Sequence, residues 1–387
     1  MTDVRRPTSR ELVRYFGWLG AAGFGGPIAL VGYMERECVD RRRWVTRQEF
    51  SDGLAFSQLA PGPLAAQLAI YIGWLCAGVR GASLVGAAFV LPSFLMVLGL
   101  AAGYVRFGGM SWLQGAFYGI GAAVIAIIAR SALKLAKTTL GTDRLLWVLF
   151  AASAAVTAVT ESEIVWVFVA SGFVAMGRQL THAVRQRGVF AVVPAEAASL
   201  PDWLLSGIHG AMPAAVLGTL FVYFATAGLF VFGSGLAIVP FLHAGVVQQY
   251  GWLTERQFLD AVAVALITPG PVVITVAFIG FLVAGTLGAT AAAAGVFAPV
   301  YVLTLVLAPH YERLKGDPRV RAFVNGVTAA AAGAIAGATF VLGRRALVDL
   351  PTAIIAGVTL LVLLKARRAP EPLVILGAGG VGVLLAS

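Results

Sequence analysis

Apolar stretches follow one another along this chain with almost nothing polar between them, as at 81–105, 112–129, 145–160 and 163–177. A soluble fold needs a polar face on the elements it packs, and these windows have none, so they fit the hydrocarbon of a bilayer. Hydrophobic side chains make up 59% of the 387 residues and charged ones 12%. That balance removes the two or three soluble domains the length would otherwise suggest. The expected fold is an all-α polytopic membrane protein with the lipid bilayer as its surroundings. Forty-six glycines and 17 prolines exceed what straight spanning rods use, and they point to broken or re-entrant helices.

A net charge of +10 raises the question of nucleic acid. The basic residues answer it, because they sit in short clusters at the ends of apolar runs (Arg5, Arg6, Arg10; Arg36 to Arg47; Arg178, Arg185, Arg187; Arg313 to Arg321). This is the positive-inside pattern of a membrane protein, with no basic stripe interleaved with aromatics, and no nucleic-acid partner is expected. Cys38 and Cys76 make neither a disulfide framework nor a zinc site. His182, His209, His243 and His310 have no ligand spacing, so neither metal nor cofactor is expected. The polar start MTDVRRPTSR, and a charge run after the apolar stretch Tyr15 to Tyr33, read as an unprocessed chain in a bacterial inner membrane.

Sliding the sequence along itself gives one strong offset, 208. Trp44 to Pro63 lies over Trp252 to Pro271 with eight of twenty positions identical, including Asp52 over Asp260 and Pro61-Gly62-Pro63 over Pro269-Gly270-Pro271. Upstream, Tyr15-Phe16 falls on Tyr223-Phe224 and Phe24-Gly25 on Phe232-Gly233; downstream the register slips slightly, so that Pro92 falls on Pro299. The chain therefore reads as two homologous repeats, 1–177 and 207–387, joined by a basic cytoplasmic linker at 178–206. Loop 35–48 carries five arginines and its counterpart 243–256 carries one, whereas 103–115 carries one basic residue and its counterpart 309–321 carries four. Charges that swap between matched loops indicate inverted topology. Arg344-Arg345 resists the scheme, since it would fall outside.

Two breaks recur in both repeats. Phe50 to Ala60 is about 16 Å of helix, too short for roughly 30 Å of hydrocarbon. Pro61-Gly62-Pro63 then stops it and starts a second helix running to about Cys76. The other break is Gly23-Phe24-Gly25-Gly26-Pro27, matched by Val231-Phe232-Gly233-Ser234-Gly235. Helices starting at such points aim free N–H groups and a positive dipole end into the break, and with inverted halves the four breaks should converge near the midplane. One such motif alone is ordinarily a kink or close-packing device, as Gly377 to Gly382 is expected to be. Recurrence of both at one offset favours a substrate site made of Phe24, Gly25, Gly26, Pro27, Pro61, Gly62 and Pro63 with Gly233, Ser234, Gly235, Thr268, Pro269, Gly270 and Pro271. Gln67 and Thr275, one turn into the second half-helix, join it. Asp52 and Asp260 are either proton or gating carboxylates or interface residues pairing with Arg47 or Arg256. Glu35 and Arg36 open either a solvated charge run or an anion funnel.

Phe24-Gly-Gly-Pro27, Glu35-Arg-Glu37 leading to Trp44, Pro61-Gly-Pro63 with Gln67-Leu-Ala, Tyr71-Ile-Gly-Trp74 and Val90-Leu-Pro92-Ser-Phe94 together resemble the chromate ion transporter family in its long, two-domain form. The resemblance implies export of chromate, with chromate resistance, and sulfate as a competing or exchanged oxyanion. Leu30 and Leu64 stand where many relatives carry polar residues, which throws more of the binding onto backbone donors and Gln67. Backbone N–H groups facing dipole ends suit a tetrahedral dianion. A sulfate or other anion importer or exchanger of the same fold is the alternative. An intramembrane enzyme is disfavoured, because the chain has no HExxH, no GxSG and no P-loop. A homodimer is compatible with the sequence, which does not require one.

Overall fold

The structure is a computed structural model that describes residues 5–24, 26–107, 110–160, 165–183, 214–229, 231, 235, 238–311, 317–347, 349–366 and 371–386. Regular structure among them is helical throughout. Four segments are long and apolar enough to cross a membrane, Leu64–Phe107, Ser111–Leu140, Val272–His310 and Pro318–Ala346. The chain is thus an all-α polytopic membrane protein. Most of the expected linker, and the basic residues Arg185, Arg187, Arg313 and Lys315, lie outside the described residues.

The first half opens with two re-entrant pairs. Helix α1 (Ser9–Ala22) stops at Gly23, and α2 (Gly26–Met34) returns beside it, held where the Tyr15 hydroxyl donates to the Tyr33 carbonyl at 2.9 Å. A π-helical turn (Glu35–Arg41) leads to α3 (Arg47–Leu59), whose start is fixed by a capping box between Thr46 and Glu49. After Pro61-Gly62-Pro63, α4 (Leu64–Phe107) doubles back along α3, stacking Tyr71 on Phe56 at 5.4 Å. Arg6 closes both ends of that pair, donating to the Leu75 carbonyl at 3.1 Å and reaching Glu49 at 3.4 Å. The α3 helix and the start of α4 therefore enter and leave on one face, as the short length of α3 demands.

Within α4 the backbone leaves helical geometry at Ala77 (φ −149°) and Gly78 (φ 59°) and turns sharply. The arms 64–76 and 79–107 then lie against each other so closely that a methyl on Gly73 or Gly81 would strike the other's carbonyl. Only the second arm is long enough to cross, at about 43 Å. At its far end Tyr104 meets Asp260 of the second half.

Helices α5 (Ser111–Leu140), α6 (Arg144–Thr160) and α7 (Val165–Ala183) follow. The second half then repeats the sequence of elements: α8 (Ala214–Leu229), α9 (Ile238–His243), a π-helical turn (Ala244–Gln249), α10 (Glu255–Ile267) behind a Thr254–Gln257 capping box, and α11 (Thr275–Leu307). Its turn at Ala284 (φ −145°) and Gly285 (φ 61°) has nearly the dihedrals of the first, and the Tyr223 hydroxyl bonds the Phe241 carbonyl at 2.8 Å just as Tyr15 bonds Tyr33. Helices α12 (Pro318–Ala346), α13 (Leu350–Lys365) and α14 (Glu371–Ala386) complete the chain. Lipid removes most of the hydrophobic drive for helices to associate, so contact depends on small residues that let backbones approach. Gly119 lies against the Ala378 carbonyl and Gly382 against the Gly115 carbonyl, fastening α14 to α5. Of the glycines at 377–382, Gly379 and Gly382 are packing devices, whereas Gly377 and Gly380 meet nothing within 4 Å.

Candidate functional site

The breaks come together in crossed pairs. The Gly62 N–H donates to the Val231 carbonyl at 2.8 Å, and the Gly270 N–H donates to the Gly23 carbonyl at 2.9 Å. Each Pro-Gly-Pro turn of one half is therefore tied to the Gly-rich break of the other. Gly235 completes the cluster, with its Cβ direction 3.8 Å from the Pro27 ring. Gly25, Gly233 and Ser234 lie outside the described residues. The positive φ at Gly62 (137°) and Gly270 (99°) explains why glycine stands at the centre of both turns.

These bonds change what two of the expected donors do. The amides of Gly62 and Gly270 serve neighbouring carbonyls in this conformation and are not turned toward a ligand. Gln67 is fully buried, and its Nε2 donates to the Pro61 carbonyl at 2.8 Å, bracing the turn. Its Oε1 has no hydrogen-bond partner among the described residues. Thr268 and Thr275 are buried with hydroxyls donated to the carbonyls of Val264 (2.6 Å) and Val272 (2.8 Å). Ser57 does the same toward Gly53 at 2.8 Å.

A cavity of about 120 Å³ opens beside the Gly23–Gly270 pair, bordered by Phe24, Gly26 and Pro27 from the first break and by Thr268, Gly270 and Val272 from the second. Its volume is several times the roughly 10–15 Å³ a single water needs. The opposite wall is α5, which contributes Arg130, Ser131, Lys134 and Thr138, and α14 contributes Glu371 and Pro372. Arg130 Nη1 lies 3.0 Å from Glu371 Oε1. Lys134 has no carboxylate within 4 Å among the described residues. The cavity thus joins two cations, one carboxylate, three hydroxyls (Ser131, Thr138 and Thr268, the latter two already donating to backbone carbonyls) and the first turn of α2, whose amide end carries partial positive charge. Such a set suits a compact oxyanion, because two cations exceed the single fixed carboxylate.

Pro61, Gly62, Pro63 and Gln67 are not on this cavity's wall, which draws on the Gly-rich break of the first half and the Pro-Gly-Pro turn of the second. Sequence reasoning passed over Arg130, Lys134 and Glu371. A signal was present, since Arg130, Lys134 and Thr138 recur at i, i+4 and i+8 and share one face of a helix whose preceding stretch, Gly119 to Ala129, is apolar.

The four charged candidates separate. Glu35 pairs with Arg47 at 3.0 Å, and Arg47 also reaches Asp40 at 2.8 Å. Arg36 lies over the Tyr33 ring at 5.4 Å. Glu37 is partly covered, which works to raise its carboxyl, but hydrogen bonds and charge from Arg42 and Arg41 outweigh that and hold it below the usual range. The loop is thus a cross-linked charge network. Asp52 is half-buried and accepts from Gln48 at 3.1 Å, while Arg47, its expected partner, is engaged elsewhere. Asp260 is 3% exposed and accepts from Tyr104 at 2.7 Å. Arg256 donates instead to the Gln114 carbonyl at 3.1 Å. Arg345, which resisted the charge count, is paired with Glu255, a carboxylate that also holds His243 at 2.7 Å.

Comparison with known proteins gives the family. The family described as Chromate transporter matches the chain twice, over residues 10–176 and 218–383. A Chromate transport protein of Cupriavidus metallidurans is 53% identical over 97% of this chain and 93% of its own length. A Probable chromate transport protein of Synechococcus elongatus is 51% identical over 97% and 95%. A Chromate transport protein of Pseudomonas aeruginosa is 32% identical over 86% and 81%. No solved structure matches. With a family match across both halves and relatives of this identity and coverage, the chain belongs to the chromate transporter family.

Proposed function

We propose that this chain is a secondary carrier that moves chromate, and sulfate-like tetrahedral dianions with it, outward from the cytoplasm across a bacterial inner membrane, so conferring chromate resistance. The observation that carries the reading is the cavity where Arg130 and Lys134 face the hydrogen-bonded breaks at Gly23 and Gly270. Two cations draw a dianion in, and the hydroxyls and amide ends around them shape its seat. Glu371 already neutralises part of that charge, so the ion is held without being trapped. The site needs no cofactor, and its residues bind and release rather than catalyse.

In this reading the repeats are 1–177 and 207–387, joined by 178–206 and inserted in opposite senses. The matched turns at Ala77-Gly78 and Ala284-Gly285 support the duplication. Opposite insertion is supported by crossed contacts: Tyr104 of the first half closes on α10, and Tyr311 of the second closes on Phe56 of α3 at 5.6 Å. Transport then consists of one half rocking against the other about the paired breaks. Expression in a chromate-sensitive bacterium should lower chromate accumulation. Unchanged accumulation with confirmed insertion would sink the carrier reading, and raised accumulation would reverse its direction.

A further inference from the structure

At the other end of α10, a second cleft of about 250 Å³ is lined by polar groups that the oxyanion cavity does not use, among them Tyr104, Gln114, Arg256, Gln257 and Asp260. Asp260 is 3% exposed, and an ionised carboxylate offers about four acceptor positions. One is filled, by the hydroxyl of Tyr104 at 2.7 Å. That partner is a neutral phenol. The guanidinium that could neutralise Asp260, Arg256 one turn back on the same helix, donates to the Gln114 carbonyl instead.

The titratable and charged groups facing Asp260 are these two, Tyr104 from α4 and Arg256 from α10. The α5 helix brings Gln114 and Phe117 to the cleft, and α11 brings the Phe278 ring, 5.3 Å from that of Tyr104. A buried carboxylate without a paired cation is costly to keep ionised, and inside a membrane such a group marks an ion or proton path. The cleft is roomy enough to admit water to its edge. Its duplicate, Asp52, is half-buried and held by Gln48, so the two copies differ in burial and in partner.

Helix α10 is a short rod tied to the first half near its start by Arg256 to the Gln114 carbonyl, at its middle by Asp260 to Tyr104, and just past its end by the Gly270 amide to the Gly23 carbonyl. We propose that Asp260 is a proton-binding site whose loading and unloading is coupled to movement of the oxyanion through the cavity at Arg130; the proposal rests on the carrier reading above. Ionised, Asp260 accepts from Tyr104 and pins α10 to the end of α4. When its carboxylate takes a proton, it no longer requires that phenol, and the middle of the rod, which borders the anion cavity at Ala265 and Leu266, is freed to shift while its other ties hold.

The test is chromate flux in proteoliposomes holding the full chain, with voltage clamped and pH varied, for the wild type, Asp260→Asn, Asp260→Glu and Tyr104→Phe. Chromate's own protonation is common to all four, so the quantity read is each variant's rate relative to Asp260→Asn at the same pH. The wild-type ratio should change with pH by up to about tenfold per unit, the limit for one linked proton. Asp260→Glu should restore that dependence, and Tyr104→Phe should shift its midpoint. A wild-type ratio that is constant across pH overturns the proposal while leaving the carrier reading intact. Absence of chromate flux in the wild type overturns both. If Asp260→Asn does not insert, Tyr104→Phe decides: a pH profile matching the wild type overturns the proposal, and a shifted one supports it.

Discussion

Replacing Gly270 by alanine should damage the protein in a way that can be worked out from its surroundings. A Cβ there would overlap the Ser93 hydroxyl and come within 3.0 Å of Ser93 Cβ and 3.1 Å of the Gly20 carbonyl. Ser93 would have to give up its own 3.0 Å bond to that carbonyl, worth about 1 kcal/mol. The Gly20 backbone has no room to retreat, because a Cβ direction on its other side runs into the Phe89 carbonyl. A φ of 99° adds roughly 1–3 kcal/mol of strain for any residue with a Cβ. Weakening the bond from the Gly270 amide to Gly23 adds about 1 kcal/mol more, for a total on the order of 3–5 kcal/mol. Gly78 is the control, since its φ of 59° carries strain but nothing lies within 4 Å, so alanine there should cost only about 1–2 kcal/mol. Heating detergent-solubilised protein at one scan rate should show Gly270→Ala aggregating on the order of 10 °C below wild type and Gly78→Ala only a few degrees below. Chromate flux should fall with the first and survive the second. Adding Ser93→Ala to Gly270→Ala should recover part of the loss. Equal midpoints for the two glycine variants, or no relief from Ser93→Ala, would refute the reasoning.

The oxyanion cavity makes its own predictions. Arg130→Ala should raise the KM for chromate by about tenfold or more, because it removes a cation and leaves Glu371 repelling the substrate; initial rates across chromate concentrations would show it. Glu371→Gln should lower KM while slowing turnover, and, because Glu371 repels substrate more once Arg130 is gone, the double variant should have a lower KM than the two single effects multiply to, a cycle that fails if they simply add. Asp143, between α5 and α6, is held down at about 2 by its hydrogen bond to Arg178. A depressed carboxyl contributes stability above its unfolded value near 4 and loses it as pH falls toward 2. The heat-stability gap between wild type and Asp143→Asn should therefore be constant above about pH 5 and close below it, with an amplitude of no more than about 1 kcal/mol for a pair this exposed.

Much of this architecture follows from local chemistry that a sequence displays. Pro61-Gly62-Pro63 stops a helix too short to span, and Thr46 and Thr254 sit three residues before Glu49 and Gln257, so the half-helices and their caps are readable in both copies. Convergence of the breaks is what a duplication with swapped charges leads one to expect. Side-chain partnerships are another matter, because they join residues far apart in the chain. Nothing near Arg130 announces Glu371, and nothing near Asp260 announces Tyr104. Spacing alone offered Arg256 to Asp260, one helical turn away, but a carbonyl on α5 takes that guanidinium. The sharp reversal at Ala77-Gly78 was visible only as the end of a helix near Cys76, since an Ala-Gly pair within apolar sequence gives no sign of its direction.

The crossed amide bonds at the breaks also govern the order in which the molecule can be assembled. When residues 1–177 first enter the bilayer, the Gly62 amide and the Gly23 carbonyl have no acceptor and no donor, because both partners belong to sequence not yet made. Where water does not reach them, each unmet buried group costs several kcal/mol. The newly inserted first half is therefore an unfinished solvent shell, and its centre can set only when Val231 and Gly270 arrive. On the carrier reading, the proposed anion site is completed only once both partners are in place, and severed halves should recover it only when made together in one membrane.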